Sequence, residues 1–356
     1  MTTTPAEAAA RTRQSRRPTI EDLAASAGVS VATVDRVLNK RHPVREDTAR
    51  RVVEAAERIG FYARGLLQQR LNERIPFRTF AFLLQKHNDP FYQQLAADLI
   101  AATRTATAVR GRPVVEFMDE LVPTIIAERL RQAGASADAV AVVAVEHPHV
   151  TAAIEEMQQR GVPVFTLLSD LTTPARAGYL GLDGRKTGRT AAWAISRLAL
   201  APGKIGILVG SHRYLGQELA EISFRTYLRE HAPDFRPLEP LVNLDDSRIA
   251  YESCVDLIGS NRDLVGIYMV GGGMAGMIQA LREEASERHI LAVCNELIPE
   301  TRTALIDGVI DLVIATPTAA LARRTVEAMI DALAGPANES VLQVQLPAEL
   351  YISENV

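Results

Sequence analysis

Apolar residues recur at intervals of three and four over the first sixty positions, then change rhythm. In TIEDLAASAGVSVATVDRVLN, Leu23, Ala24 and Ala27 share one helical face, Gly28 breaks the run, and Val34, Val37 and Leu38 resume it. This spacing predicts two short amphipathic helices joined by a tight turn. Thr19 and Asp22 are placed for a capping box on the first helix, and Ser30 for capping the second. A third helix is predicted from about Arg45 to Ile59, with Val52, Ala55, Ala56 and Ile59 buried and Gly60 as C-cap. Phe61 and Tyr62 then close a three-helix unit. Val31, Ala32, Thr33, Asp35, Arg36 and Asn39 point outward or toward the start of the second helix, where a recognition helix meets base edges and phosphates.

Beyond Pro76 the pattern becomes short apolar runs separated by helical stretches. The runs are 80–84, 114–118, 139–145, 162–168 and 179–182, then 204–210, 265–270, 289–294 and 309–314. Near-continuous apolar strands with helical crossovers imply parallel sheets covered on both faces. Two sets of about five strands predict an α/β core of two doubly wound lobes behind a small all-α head. Ligands in such folds sit at the carboxyl ends of strands, so the expected site is the cleft between lobes. The expected organisation is a disordered tail at 1–16, a helix-turn-helix domain at 17–62, a hinge linker at 63–76 and a two-lobe sensing domain at 77–356.

A chain of 356 residues, 47% hydrophobic and 23% charged, can build a large core without metals or disulfides. Its two cysteines, Cys254 and Cys294, sit in apolar contexts and read as buried thiols. The first 17 residues carry basic side chains but no apolar segment, and no later run approaches a membrane span, so a cytoplasmic protein without a membrane partner is expected. The net charge of −4 is unevenly spread. Residues 1–75 hold 14 Lys or Arg against nine Asp or Glu, which is +5 and leaves −9 for the rest. That split lets the head approach phosphates while the body resists nonspecific attraction to DNA.

The head, together with Val44, Thr48 and Val52 in VREDTARRVVEAAERIGF, resembles the LacI/GalR family of transcriptional regulators. The body, through its strand rhythm and the NDPFY segment at 88–92, is similar to sugar-binding periplasmic proteins of the ribose-binding type. The resemblance implies a type I periplasmic-binding-protein-like core. It also implies a homodimeric regulator, read here as a repressor, on a pseudopalindromic double-stranded operator, with a small-molecule effector, a sugar or polyol, closing the cleft. Carried over from the family, Thr19, Val31, Ala32, Thr33, Arg36 and Asn39 would meet DNA. Val31 and Ala32 suit a thymine methyl, whereas Arg36 suits guanine or a phosphate. Asp35 would accept from a cytosine amine or, the reading preferred here, orient Arg36. Ser30, Arg45, Arg64, Gln68 and Arg70 complete the candidate set.

Two regions depart from the family pattern. Where a hinge helix with a wedging Leu is expected, the chain has Ala63, Arg64, Leu67 and Arg70, with Leu71 one place on. Either Leu67 or Leu71 takes over the wedge, or the DNA is less kinked, or the segment is a solvated connector ordered on DNA. In the cleft the resemblance points to Asp89, Phe91, Tyr92, Ser169, Asp170, Asp183, Gly272, Asn295 and Glu296. Ala220 stands where an Arg is common, and Met274 and Thr316 where Asn and Gln are. Acceptors and aromatics thus survive while donors are lost, and His212, Arg213 or Gln217 are the available substitutes. Phe91 and Tyr92 could equally be core packing.

GGGMAG at 271–276 matches the dinucleotide pattern G-x-G-x-x-G, follows a strand, and has Glu296 at the end of the next one. An oxidoreductase reading would leave the head unexplained, and the motif lies mid-lobe rather than opening a domain, so a tight loop at the cleft is preferred. The seven histidines are scattered, HPH at 147–149 included, and there is neither a nucleophile elbow nor a phosphate loop. No enzyme, metal or cofactor is therefore expected. A regulator answering to a partner protein rather than a metabolite is the remaining alternative.

Overall fold

The structure is a computed structural model that describes residues 17–39, 44–65, 67, 75–285, 288–335 and 340–356, with the Glu46 side chain excepted. The tail at 1–16 and the linker positions Gln68, Arg70 and Leu71 lie outside the described residues. The chain divides into two compact units between Phe77 and Arg78.

The first unit contains α1 (Ile20–Ala27), α2 (Val31–Asn39) and α3 (Glu46–Ile59). Thr19 and Asp22 form the reciprocal capping box: the Thr19 hydroxyl accepts from the Asp22 N–H at 3.2 Å, and the Asp22 carboxylate from the Thr19 N–H at 2.8 Å. Gly28 and Gly60 end α1 and α3 in the left-handed conformation, φ 63° and 65°. Arg51 of α3 donates to the carbonyls of Ala27 (2.7 Å) and Gly28 (3.2 Å), satisfying the open end of α1 from another helix. Leu23, Val34, Val52, Ala55, Ala56 and Phe61 are fully buried together. Tyr62 is 71% exposed and rests its ring on Phe61 at 4.6 Å, so Phe61 alone plugs the unit from inside.

Leu67 belongs to the same core and has no exposed surface. Buried there, it is not exposed for insertion into a minor groove in this structure. It packs in the head core with Phe61 and the buried face of α3.

In the second unit, one sheet has the order β12-β5-β4-β3-β1-β2 and the other β13-β11-β10-β9-β6-β7, with β8 also on β6. The first comprises β1 (Phe77–Gln85), β2 (Arg110–Met118), β3 (Ala139–Val142), β4 (Val164–Leu167), β5 (Gly178–Leu182) and β12 (Leu342–Leu346). The second holds β6 (Lys204–Val209), β7 (Arg236–Pro237), β8 (Leu241–Val242), β9 (Leu264–Val270), β10 (Leu291–Asn295), β11 (Leu312–Ala315) and β13 (Glu349–Tyr351). Helices α4 (Pro90–Thr105), α5 (Pro123–Ser136) and α6 (Pro148–Gln159) link the strands of the first lobe. Helices α7 (Gly184–Leu198), α8 (Leu215–His231), α9 (Ser247–Ser260), α10 (Met274–Glu284) and α11 (Pro299–Ile306) belong to the second, and α12 (Thr318–Ala334) returns to pack on α4.

All nine apolar runs are strands. The four others escaped the apolar pattern for physical reasons: β7 and β8 are two residues long, and β12 and β13 are largely solvent-facing edge pieces. The last two matter because the chain crosses between lobes at Leu182–Gly184, Ala315–Thr318 and Leu346–Glu349. Three strands of chain therefore hinge the lobes. β3 pairs parallel with β1 and β4, β5 with β4 and β12, β6 with β7, β8 and β9, and β10 with β9 and β11, whereas β11 and β13 are antiparallel.

Gly276 lets α9 and α10 touch. A Cβ there would lie 1.8 Å from the Ser247 carbonyl oxygen and 2.7 Å from the Tyr251 nitrogen. Gly276→Ala is expected to destabilise the second unit by about 1–3 kcal/mol through forced helix separation. Thermal melts compared with Gly259→Ala, whose Cβ would meet nothing within 4 Å, check this.

Candidate functional site

In the head, α2 turns Val34, Val37 and Leu38 inward and leaves Val31 46% exposed beside exposed Ala32, Arg36 and Asn39. Ser30 caps the helix, its hydroxyl accepting from the Thr33 N–H at 3.2 Å and meeting the Thr33 hydroxyl at 2.9 Å. The start of a helix, its N–H groups and a half-apolar face are thereby presented together, as base-edge and phosphate contacts require. Asp35 does not orient Arg36. It accepts from the Asn39 amide at 2.6 Å, because residues four apart share a helix face whereas neighbours diverge. Arg36 is thus left extended, and Asn39 is preoriented. Thr19 is half-buried, Arg45 and Arg64 are exposed, and Gln68 and Arg70 lie outside the described residues.

The second unit has a cleft between its lobes with a cavity of about 130 Å³. The strand order reverses beside β1 in one sheet and β6 in the other, so the loops after β1, β6, β9 and β10 splay apart there. Asp89, Phe91, Tyr92, Ser169, Gln217, Gly272, Met274, Asn295, Glu296 and Thr316 all line this space. Asp170, Asp183 and His212 do not. Asp170 is held by Arg176 in a two-pronged ion pair (2.7 and 2.8 Å) and also accepts from Thr166 and Gln343, fixing the loop after β4. Asp183 caps α7 through the Arg185 N–H at 3.0 Å. His212 is exposed, and Arg213, also outside the lining, turns its carbonyl to the Glu146 N–H at 2.9 Å. Of the three substitute donors considered, only Gln217 reaches the cleft.

Sequence reasoning missed Gln85, Lys86, Tyr214 and Asp245, which also line it. Lys86 reaches across the cleft and donates to the carbonyls of Asp245 (2.5 Å) and Leu244 (3.4 Å), and the Ser169 hydroxyl accepts from the Gly216 N–H at 3.2 Å. These bonds join opposite lobes. Among the described residues, five that are not glycine have positive φ: Lys86, Leu168, Leu244, Asp245 and Glu296. Four of them line the cleft, and Leu244 adjoins it. Backbone strain concentrated at one place marks a site whose shape is imposed by its surroundings, and periodicity carries no trace of it.

The glycine loop has a different use from a dinucleotide fingerprint. The Asp245 carboxylate accepts from the Gly272 N–H at 2.6 Å, and a Cβ on Gly271 would lie 2.6 Å from it. Asn243 locks this arrangement, donating to the Gly272 carbonyl at 2.9 Å and accepting from the Asp245 N–H at 2.9 Å. A carboxylate of the chain itself thus occupies the nest that a diphosphate would need, and it would repel one.

Glu296 ends β10 and accepts from the Thr316 N–H (2.9 Å) and hydroxyl (2.7 Å), tying it to the second interlobe crossover. Burial pushes its carboxyl up to about 7 against these hydrogen bonds, with the Asp89 charge adding to the rise. Burial likewise raises the Asp89 carboxyl, opposed by the Phe91 N–H and Lys86. An acid with a raised folded pKa makes the fold less stable as pH climbs from the unfolded value toward the folded one. The stability difference between wild type and Glu296→Gln is therefore expected to fall between about pH 4.5 and pH 7, measured by urea unfolding across pH. A flat difference would disprove it. Cys254 and Cys294 are free and buried, and desolvation pushes the Cys254 thiol up to about 12, well outside the reactive range.

A two-lobe cleft protein that also carries a helix-turn-helix head is a ligand-responsive DNA-binding architecture. Residues 80–337 match the periplasmic binding protein domain family, and residues 19–63 match the bacterial regulatory proteins of the lacI family. The chain belongs to the periplasmic binding protein domain family and bears a lacI-family head. It is 38% identical over 78 residues to the ribose operon repressor of Bacillus subtilis (strain 168), an overlap of 22% of this chain and 23% of the relative. It is 30% identical over 217 residues to an uncharacterised HTH-type transcriptional regulator in the aml 5' region of Streptomyces limosus, 60% of this chain and 58% of that one. The match therefore spans under a quarter of the first relative and just over half of the second.

Among solved structures, a solute-binding protein from Agrobacterium vitis bound with alpha-D-tagatopyranose superposes with a TM-score of 0.72 at 17% identity, covering 78% of this chain and 95% of that one. A glucose-galactose binding protein from Geobacillus stearothermophilus gives 0.69 at 18% identity, covering 78% and 99%. At these identities the likeness establishes the type I periplasmic binding protein fold.

Proposed function

We propose that the protein is a cytoplasmic transcriptional repressor that binds a pseudopalindromic operator as a homodimer and is controlled by a sugar or polyol in the interlobe cleft. The observation that carries this reading is the pairing, in one chain, of a recognition helix whose outer face is exposed with a strained, polar cleft hinged by three crossovers. Val31, Ala32, Arg36 and Asn39 would read bases, while Thr19, Ser30, Thr33, Arg45, Arg64, Gln68 and Arg70 would hold phosphates. Asp89, Ser169, Gln217, Asn295 and Thr316 would grip hydroxyls against the Phe91 and Tyr92 rings. The sugar-binding proteins that share the fold, and the ribose operon repressor that shares the head, support that effector class.

Coupling requires that the effector bind one lobe arrangement better than the other. The bridging bonds from Lys86 and Ser169 are the contacts that distinguish those arrangements. No catalytic role is assigned. Among the described residues, no helix is long and apolar enough to cross a membrane. Footprinting on the DNA flanking its own gene, with and without a panel of sugars and polyols, tests the reading. A protected two-fold site whose occupancy changes with one of them is expected, and no protected site would overturn it.

A further inference from the structure

The lining of the cleft is unbalanced in charge. Asp89, Asp245 and Glu296 face it with Lys86 as the one Lys, Arg or His among the described residues lining it, and Lys86 is already engaged with two carbonyls. A further acceptor lacks any partner, the Gln85 Oε1, in a residue 1% exposed. The Gln85 assignment is fixed by its amide donating to the Val143 carbonyl at 2.6 Å, since the flipped amide would set two oxygens together. The hydroxyls of Thr187 and Thr316 are spent on Asp183 and Glu296.

Each hydroxyl of a sugar brings a donor and also lone pairs that need donors. A protonated amine brings three donors and no acceptor, and its charge offsets the carboxylates. The three carboxylates and the unpartnered Gln85 oxygen fit the second, while the Tyr92, Tyr214 and Ser169 hydroxyls and the Gln217 and Asn295 amides are there to meet the hydroxyls of a frame. Among the described residues no group of three or more His, Cys, Asp or Glu converges to hold a metal ion, so the matching cation is an extended organic one.

We propose that the effector carries a protonated nitrogen on a polyhydroxylated frame, with the ammonium seated against Asp89 and Glu296. This rests on the effector reading above and narrows it from sugars and polyols to their amino derivatives. Asp89 and Glu296 lie on opposite lobes, so a cation between them favours closure, whereas a sugar phosphate or uronate is repelled.

The test is calorimetric titration of the full chain, at neutral pH, with three matched pairs: D-glucosamine and D-glucose, D-galactosamine and D-galactose, and 1-amino-1-deoxysorbitol and sorbitol. In at least one pair the amine is expected to bind about tenfold or more tighter than its hydroxyl counterpart. Asp89→Asn, which keeps a good helix cap for α4, should remove that preference by lowering amine affinity more than that of the hydroxyl member. Glu296→Gln should lower amine affinity in the same direction. Neutral members that bind as tightly as the amines, or an equal loss for both members in Asp89→Asn, would overturn the ammonium while leaving a sugar effector standing. No binding by any of the six overturns the proposal, and sugar-dependent footprints then decide separately whether the broader reading falls.

Discussion

Arg36→Ala is expected to bring operator binding close to the nonspecific level while leaving both units folded. The side chain is exposed on α2, and its neighbour Asp35 is committed to Asn39, so its removal would delete the proposed base contact without opening the core. A bidentate Arg–guanine contact discriminates by about 1–3 kcal/mol. In a two-fold complex it is made twice, which gives about 2–6 kcal/mol, or roughly 30- to 20,000-fold in affinity. The gap between specific and nonspecific binding is about 4–10 kcal/mol, so this loss spans much of it. Quantitative footprinting measures the effect, with circular dichroism as the folding control. A footprint retained at wild-type protein concentration would remove α2 from the role of reading helix.

Leu67→Ala should unfold the head selectively. Leu67 is fully buried among Leu23, Val52, Phe61 and their neighbours, and truncating such a side chain costs about 2–5 kcal/mol. A head of roughly 50 residues has only about 2–7 kcal/mol to lose. The second unit has its own core and should keep its melting temperature. Two-stage thermal unfolding, with loss of DNA binding at the lower transition, is the expected result. If the head melts as in wild type while the bend angle of bound DNA decreases, Leu67 acts as the wedge after all and its burial here is a resting position. The placement also explains the departure from the family's hinge. A leucine recruited into the head core anchors the start of the linker, and Arg64 beside it is left exposed for phosphate contact.

Much of this molecule was legible in local sequence because local chemistry fixes it. The capping box at Thr19 and Asp22, the left-handed stops at Gly28 and Gly60, and the nine apolar runs each reflect a preference acting within a few residues. The same holds for the outward face of α2. Apolar strands must be covered on both faces and connected by crossovers, so two doubly wound lobes followed from rhythm alone.

The site was legible only in part. Asp89 and Glu296 stand at strand ends, where the fold puts ligands, but Asp170 and Asp183 stand at strand ends too. Which carboxylates face the cleft depended on side-chain partners outside the pattern, such as Arg176 and the distant Gln343 for Asp170, and on Lys86, Leu168, Asp245 and Glu296, which take left-handed backbone at the cleft. Lys86 and Asp245, 159 positions apart, meet only because the lobes close on each other. The glycine triplet taught the same lesson, since its nest is filled by a side chain 27 residues upstream. The sequence by itself determined the helix-turn-helix, the strand rhythm and the class of cleft, because those arise from short-range periodicity and capping. Tertiary structure alone decided that Leu67 is core, that Asp245 fills the glycine loop and that Lys86 bridges the lobes, because each depends on which distant groups burial brings into contact.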